Sequence, residues 1–346
     1  ANPELSELII GKIGNGWITE LDQLRKLERY ADDPDFQDSW RKVKRKKKEQ
    51  LAIWLKQTSG IIINPEWLFD VQIKRIHEYK RQLLNILHVV FLYNKMLEHP
   101  EFPFVPRTIL LGGKAAPGYY MAKLIINLAN DVAHLVNNDP AMKDRLKVVF
   151  VPNYNVSVAE KLIPATDISQ HISTAGTEAS GTGNMKFILN GALILGTMDG
   201  ANIEIAEEVG AENIFTFGMS SDEVSSLAKS GYNPRVPYQN NPGLREALSM
   251  INTGYFNRDK PHLYNNLYNS LVFEDKYMLL EDFTSYVECQ QRVMKTWEDQ
   301  EKWTRMSILN TAASGKFSSD RTIDEYARDI WKLEPVTVEL QGKKVR

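Results

Sequence analysis

Short, continuous apolar segments alternate with longer segments of helical periodicity through residues 61–220. The apolar segments predict buried strands at 68–73, 108–111, 148–151, 168–172, 192–196 and 213–217. Buried strands that each precede a helix are typical of a parallel sheet covered on both faces. We therefore predict an α/β fold with a doubly wound parallel sheet. A helical lead-in at 1–60 and mainly helical residues at 221–346 complete what we expect to be a single domain.

Charge and composition exclude several classes of protein. The formal net charge of −2 gives no general attraction to nucleic acid or to an acidic membrane. The longest apolar run, at 86–93, is too short to span a bilayer, so we expect neither kind of partner. The single cysteine, Cys289, excludes an internal disulfide, and the first residues lack a signal-peptide layout. We expect a cytoplasmic location, with a plastid as the alternative.

Polar or glycine-rich segments follow most of the predicted strands. The segments are Lys74-Arg75, Gly112-Gly113-Lys114, Asn153-Tyr154, the loop at 173–186 and Asp199. Because ligands of doubly wound sheets bind at the carboxyl ends of the strands, these segments should share one edge of the sheet. Their composition favours a binding site for one or two phosphate groups.

A helix predicted at 74–97 would begin with a cluster of cations. The cluster comprises Lys74, Arg75, Lys80 and Arg81, and only Glu78 offsets it. The helix dipole disfavours each cation at this end by about 0.3–1 kcal/mol, so a bound anion would remove the conflict. The alternative is that these side chains extend into solvent.

The loop at 178–186 has a composition that suits a phosphate. Gly181 and Gly183 leave backbone N–H groups uncovered, and Ser180 and Thr182 are helix-capping residue types. The pattern is neither a P-loop nor G-x-G-x-x-G, and the alternative is a tight turn before a helix.

Lys186 lies in the segment 185–189, whose other residues are apolar and predict an interior position. One interpretation is a side chain that carries its amine out to water. The other is a desolvated amine with a lowered pKa, suited to forming a Schiff base with a carbonyl compound. Periodicity does not choose between them.

A dense run of basic residues occupies 41–48. We interpret it as a solvated helix face rather than a nucleic-acid patch, because it lacks interleaved aromatic residues and continues into an apolar segment. The histidines show no metal-ligand spacing, so we predict no metal site. The sequence also contains no recognisable Ser-His-Asp arrangement.

Four segments together resemble the glycogen/starch α-glucan phosphorylases. These segments are EASGTGNMK at 178–186, KRIHEYKR at 74–81, GKAAPG at 113–118 and TMDGAN at 197–202. The resemblance runs through nearly the whole chain and implies the C-terminal, Rossmann-like half of a GT-B glycosyltransferase fold. It also implies a hexosyltransferase of glycogen metabolism, which uses pyridoxal 5′-phosphate and inorganic phosphate to convert an α-1,4-glucan to glucose 1-phosphate with retention.

The resemblance also implies roles for individual residues. The cofactor would be held as a Schiff base by Lys186, with contacts from Lys74, Tyr154, Thr182 and Gly183. The catalytic phosphate-holding residues would be Lys74, Arg75 and Lys80, and the glucose hydroxyls would contact Glu178, Ser180 and Gly181. Tyr119 matches an aromatic residue near the site entrance, and His171 stands where glutamine is usual.

Family enzymes are about twice as long as this chain, and their cleft lies between two domains. We therefore expect the N-terminal domain to be absent here and the isolated chain to turn over little or nothing. Full-length members are expected to form homodimers. Two alternatives stay open, namely a nucleotide-sugar glycosyltransferase of GT-B type and a non-catalytic pyridoxal-phosphate-binding module.

Overall fold

A computed structural model describes residues 1–334 and 336. It contains one parallel sheet of six strands in the order β3-β2-β1-β4-β5-β6. The strands are β1 (Leu68–Ile73), β2 (Arg107–Gly112), β3 (Leu146–Phe150), β4 (Ile168–His171), β5 (Leu193–Gly196) and β6 (Phe215–Thr216). The predicted α/β class, the parallel pairing and all six strand positions are confirmed.

Helices precede, connect and follow the strands. The lead-in contains α1 (Pro3–Ile13) and α2 (Pro34–Ser59). The connections contain α3 (Gln82–Glu98), α4 (Tyr120–Asn138), α5 (Val156–Ala165), α6 (Gly183–Leu189) and α7 (Asn202–Val209). The remainder contains α8 (Ser221–Ser230), α9 (Arg235–Asn240), α10 (Pro242–Asn252), α11 (Asn265–Asn269), α12 (Leu279–Glu298), α13 (Gln300–Ala313) and α14 (Ser319–Glu325). Across the described residues, every helix is too short or too polar to traverse a bilayer.

Both faces of the sheet are buried, as its apolar strands predict. Ile109 and Leu111 of β2 point into a core completed by α3, α4, α10 and α12. Leu110, between them, points into the opposite core with α2, α5, α6 and α7. Each fully buried aliphatic side chain of this kind contributes about 1.5–3 kcal/mol of transfer free energy.

The strand order reverses between β1 and β4, which are hydrogen-bonded neighbours. The chain leaves β1 toward β2 on one side and leaves β4 toward β5 on the other. The two loops that follow these strands therefore diverge and open a crevice at the carboxyl edge, which is where open α/β sheets bind ligands.

The first connecting helix begins later than predicted, at Gln82 rather than Lys74. The amides of Lys74 and Ile76 instead bond the carbonyls of Gly112 and Lys114, both at 3.1 Å, so the chain stays at the sheet edge. Arg81 then takes a left-handed conformation, with φ of 55°. Lys74 and Arg75 consequently lie outside the helix, and the predicted conflict between these two cations and its dipole does not arise.

The basic run on α2 is also less solvated than predicted. Lys44, Lys47 and Lys48 are buried, whereas Lys42 and Lys46 are exposed. The Lys44 ammonium donates to the backbone carbonyls of Pro164, near the end of α5, and Thr166, just after it. The Lys48 ammonium lies 2.7 Å from an Asp167 carboxylate oxygen. The run therefore joins α2 to the sheet, and its buried cations are not available to nucleic acid.

Candidate active site

A cavity of about 930 Å³ lies at the carboxyl edge of the sheet. It gathers almost every residue that the sequence proposed for a phosphate site. The predicted residues that line it are Lys74, Arg75, Lys80, Tyr154, Glu178, Gly181, Thr182, Gly183 and Lys186. Ser180 and Tyr119 are not among the lining residues. The shared edge expected for these loops is thus present, while the roles of the individual residues stay predictions.

Lys74, at the end of β1, is held by a histidine. Its Nζ lies 3.2 Å from His171 Nδ1, and His171 Nε2 lies 2.8 Å from the Ser169 hydroxyl oxygen. Burial and the nearby Lys80 lower the pKa of Lys74 to about 8. Burial and the two lysines hold the pKa of His171 well below its usual range, so the imidazole is neutral. Because an ammonium only donates, Nδ1 accepts from Lys74 and Nε2–H donates to Ser169.

Lys80 forms an ion pair with the Glu178 carboxylate across the crevice. Burial alone would lower the pKa of Lys80, but the hydrogen bonds to Glu178 and Tyr79 outweigh it and raise the pKa. The Tyr79 hydroxyl also lies 3.5 Å from the other Glu178 oxygen. Glu178 therefore offsets the charge of Lys80, and the uncompensated positive charge comes from the remaining cations of the cavity.

Arg75 and Lys186 supply two of those cations. Both are exposed, and neither side-chain nitrogen bonds to any residue in the described part of the chain. α6 buries Phe187 and Ile188 but leaves Lys186 exposed on the cavity side. The structure therefore favours an amine that reaches solvent over a desolvated amine.

A buried carboxylate fixes the loop between β4 and α6. Asp199 accepts from the Gly176 amide at 2.9 Å, the Glu178 amide at 3.0 Å and the Ser173 hydroxyl at 2.7 Å. The Ala201 amide bonds the Ser180 carbonyl at 2.7 Å. The sequence placed Asp199 at this edge but gave no sign that it anchors the loop, because its partners lie more than twenty residues away.

The hydroxyl groups of Ser180 and Thr182 are left available to a ligand. Thr182 occupies the N-cap position of α6 without making a side-chain cap bond. Ser180 donates only to the adjacent Gly181 carbonyl, at 3.3 Å. The capping roles suggested by their residue types are therefore not used within the described residues.

The aromatic residue expected at the entrance lies just outside the cavity. Tyr119 packs edge-on against His77, with ring centroids 4.9 Å apart, and bonds the Glu78 carboxylate at 2.5 Å. Within residues 1–334, no cluster of three or more His, Cys, Asp or Glu side chains is arranged to hold a metal ion.

The fold and site define a doubly wound α/β protein with a cationic, glycine-lined crevice at its switch point, a place that suits phosphoryl groups. The chain belongs to the carbohydrate phosphorylase family, whose model matches residues 1–333. It is 54% identical to a glycogen phosphorylase of Synechocystis sp. over 99% of its length. It is 52% identical to the human muscle form over 96% and 51% identical to the mouse brain form over 98%. The chain spans 40% of the length of each of these relatives.

Proposed function

We propose that this chain carries the cofactor and phosphate half of an α-1,4-glucan phosphorylase, which cleaves glycogen, starch or maltodextrin with inorganic phosphate to give glucose 1-phosphate with retention. The observation that carries this proposal is the cavity that brings Lys186 together with Lys74 and Arg75 at the switch point. The relatives' name, glycogen phosphorylase, supports the same activity.

The residues present fit pyridoxal 5′-phosphate. Lys186 offers a solvent-reaching amine without a protein partner in residues 1–334, and it would hold the aldehyde group covalently. Lys74 and the Thr182–Gly183 segment would bind the phosphate group, and half-buried Tyr154 would cover one side of the ring. When bound, the cofactor supplies a phosphate group that exchanges a proton with the substrate phosphate.

Arg75 and Lys80 would hold that substrate phosphate beside the cofactor phosphate. Two unit charges 4 Å apart repel by roughly 4 kcal/mol at an effective dielectric constant near 20, so two phosphate groups cannot share the cavity without cations. Arg75 is the better placed of the two, because Lys80 is already paired with Glu178. Glu178 and the Gly181 amide would contact the glucose hydroxyls, with Ser180 as a third contact.

The short length of the chain relative to its relatives leads us to expect low activity. Since it spans 40% of them, we infer that the remaining part of a full-length enzyme closes the other side of the cavity. The isolated chain should then bind the cofactor but turn over little. A phosphorolysis assay with added cofactor tests this inference, and activity near that of a full-length enzyme would refute it. The homodimer expected of full-length members stays a prediction.

Cofactor binding has a direct optical test. Pyridoxal 5′-phosphate added to the chain should give a near-ultraviolet or visible absorbance band that resists dialysis. Lys186→Ala should abolish the band, while Lys229→Ala, an exposed lysine on α8 outside the cavity, should preserve it. A band that survives in Lys186→Ala would exclude Lys186 as the attachment site. Absence of any band in the parent chain would refute the cofactor assignment.

A further inference from the structure

We infer that His171 is a positioning residue, whose neutral imidazole accepts from the Lys74 ammonium and holds it toward the cavity. The inference rests on the proposed phosphate site and extends it to a residue to which that proposal gives no role. Its basis is geometric, because His171 lines the cavity, is only 7% exposed and lies between Ser169 and Lys74 in one hydrogen-bonded chain.

The position of His171 is rigid. Its carbonyl accepts from the Asn202 side chain at 2.9 Å, and its ring packs edge-on against Phe187 with centroids 5.9 Å apart. A Cβ on Gly183 would lie 3.6 Å from the ring carbon Cε1. The imidazole therefore offers Lys74 a fixed acceptor at the point where β4 meets the start of α6.

The charges around this pair define its response to an anion. Lys80 faces both Lys74 and His171, and Glu178 and Asp199 act on Lys74 from the other two loops. Arg75, Lys114, Glu160 and Lys186 complete the charged lining of the cavity. Positive charge dominates near His171, so its imidazole stays neutral and remains an acceptor for Lys74.

An anion beside Lys74 strengthens this arrangement. Its negative charge favours the ammonium form of Lys74, so the pKa of Lys74 rises on binding. A group whose pKa is raised by binding strengthens that binding below its free pKa and loses the contribution as pH rises through its bound pKa. For Lys74, with a pKa of about 8 before binding, the loss falls on the alkaline side.

Inorganic sulfate is a suitable probe because it is a dianion throughout the neutral range and contributes no titration of its own. Calorimetric titration of the full chain between about pH 6 and 9 should show affinity that rises as pH falls, by about tenfold in total. His171→Gln keeps an acceptor for Lys74, so its sulfate affinity should stay within about threefold of the parent at each pH.

His171→Leu removes the acceptor and should bind sulfate about tenfold more weakly at every pH. Circular dichroism on the same samples checks that this variant is folded, and His171→Gln provides a second measurement should it not be. His134→Gln, an exposed histidine of α4, is the matched control and should behave as the parent.

Three results would overturn the inference: an affinity of folded His171→Gln as low as that of His171→Leu, parent-like affinity in a folded His171→Leu, or no measurable sulfate binding by the parent. The absorbance band that depends on Lys186 separates this inference from the proposed function. A parent chain with the band but without the His171 effect refutes only the inference, whereas a chain without the band refutes the cofactor assignment.

Discussion

The Arg81 guanidinium lies 2.7 Å from the Asp282 carboxylate in an ion pair that is almost wholly buried. Arg81 also donates to the carbonyl of Ile172 at 2.7 Å and to that of Ser173 at 3.3 Å. Asp282 in turn accepts from the Met219 amide at 3.0 Å. The pair therefore ties both loops of the cavity to α12, and the cavity depends on a contact outside its own lining.

Arg81→Met should destabilise the chain by about 3–5 kcal/mol, because it leaves the Asp282 carboxylate buried without a counter-charge. Urea unfolding followed by circular dichroism measures this cost. Arg305→Met, at a largely exposed ion pair with Asp32, is the matched control and should cost less than about 1 kcal/mol. Equal losses in the two variants would contradict the structural role of Arg81.

Lys44 gives a pH-dependent test. Burial lowers its pKa to about 8 in the folded state, below the value of the unfolded chain. The unfolded state therefore binds more protons between the two values, and the contribution of Lys44 to stability increases as pH rises through this window. The unfolding free energy of the parent minus that of Lys44→Met should thus rise by about 2–3 kcal/mol between about pH 7 and 10. Lys42→Met, on the exposed face of α2, should show no such trend.

Asp199→Ala should loosen the loop between β4 and α6. Without the carboxylate, the amides of Gly176, an exposed residue, and Glu178, a half-buried one, lose their acceptor together with the buried Ser173 hydroxyl, at a cost of about 2 kcal/mol. Hydrogen–deuterium exchange at these two amides should accelerate at least tenfold, whereas Asp144→Ala, at an exposed aspartate, should leave them unchanged. Unaltered exchange in Asp199→Ala would show that other contacts hold the loop.

Gly200→Ala tests the close approach of two loops. A Cβ at Gly200 would collide with the Ser180 carbonyl oxygen, and its φ of 52° already disfavours a side chain. The expected cost is about 3 kcal/mol. Gly60→Ala separates the two effects, since Gly60 has a similar φ of 68° in open space and should lose only about 1 kcal/mol. Equal costs at the two sites would mean that the loop shifts without penalty.

Arg75→Met should weaken the binding of inorganic phosphate without lowering the stability of the chain. The exposed guanidinium has no partner among residues 1–334, so unfolding should be nearly unchanged. The affinity for inorganic phosphate should fall about tenfold, as expected for loss of one charge-assisted contact. Titration calorimetry measures the affinity, with Arg258→Met, outside the cavity, as control. An unchanged phosphate affinity would remove Arg75 from the proposed site.

The sequence by itself determined the six-stranded parallel sheet and the edge at which the site residues meet. A short, continuous apolar segment predicts a strand buried on both faces, whatever the rest of the chain does. Parallel strands place their carboxyl ends at the same edge of the sheet. Lys74, Tyr154 and Glu178 could therefore be assigned to one edge before any contact was known.

Tertiary structure alone decided the start of α3, the burial of Lys44 and Lys48, and the outward position of Lys186. It also decided that His171 accepts from Lys74 across 97 positions and that Arg81 pairs with Asp282 across 201. Local sequence patterns report the periodicity of a segment, whereas the burial of a charge depends on whether a distant partner offsets the cost of removing it from water. That partner is fixed only when the chain has folded.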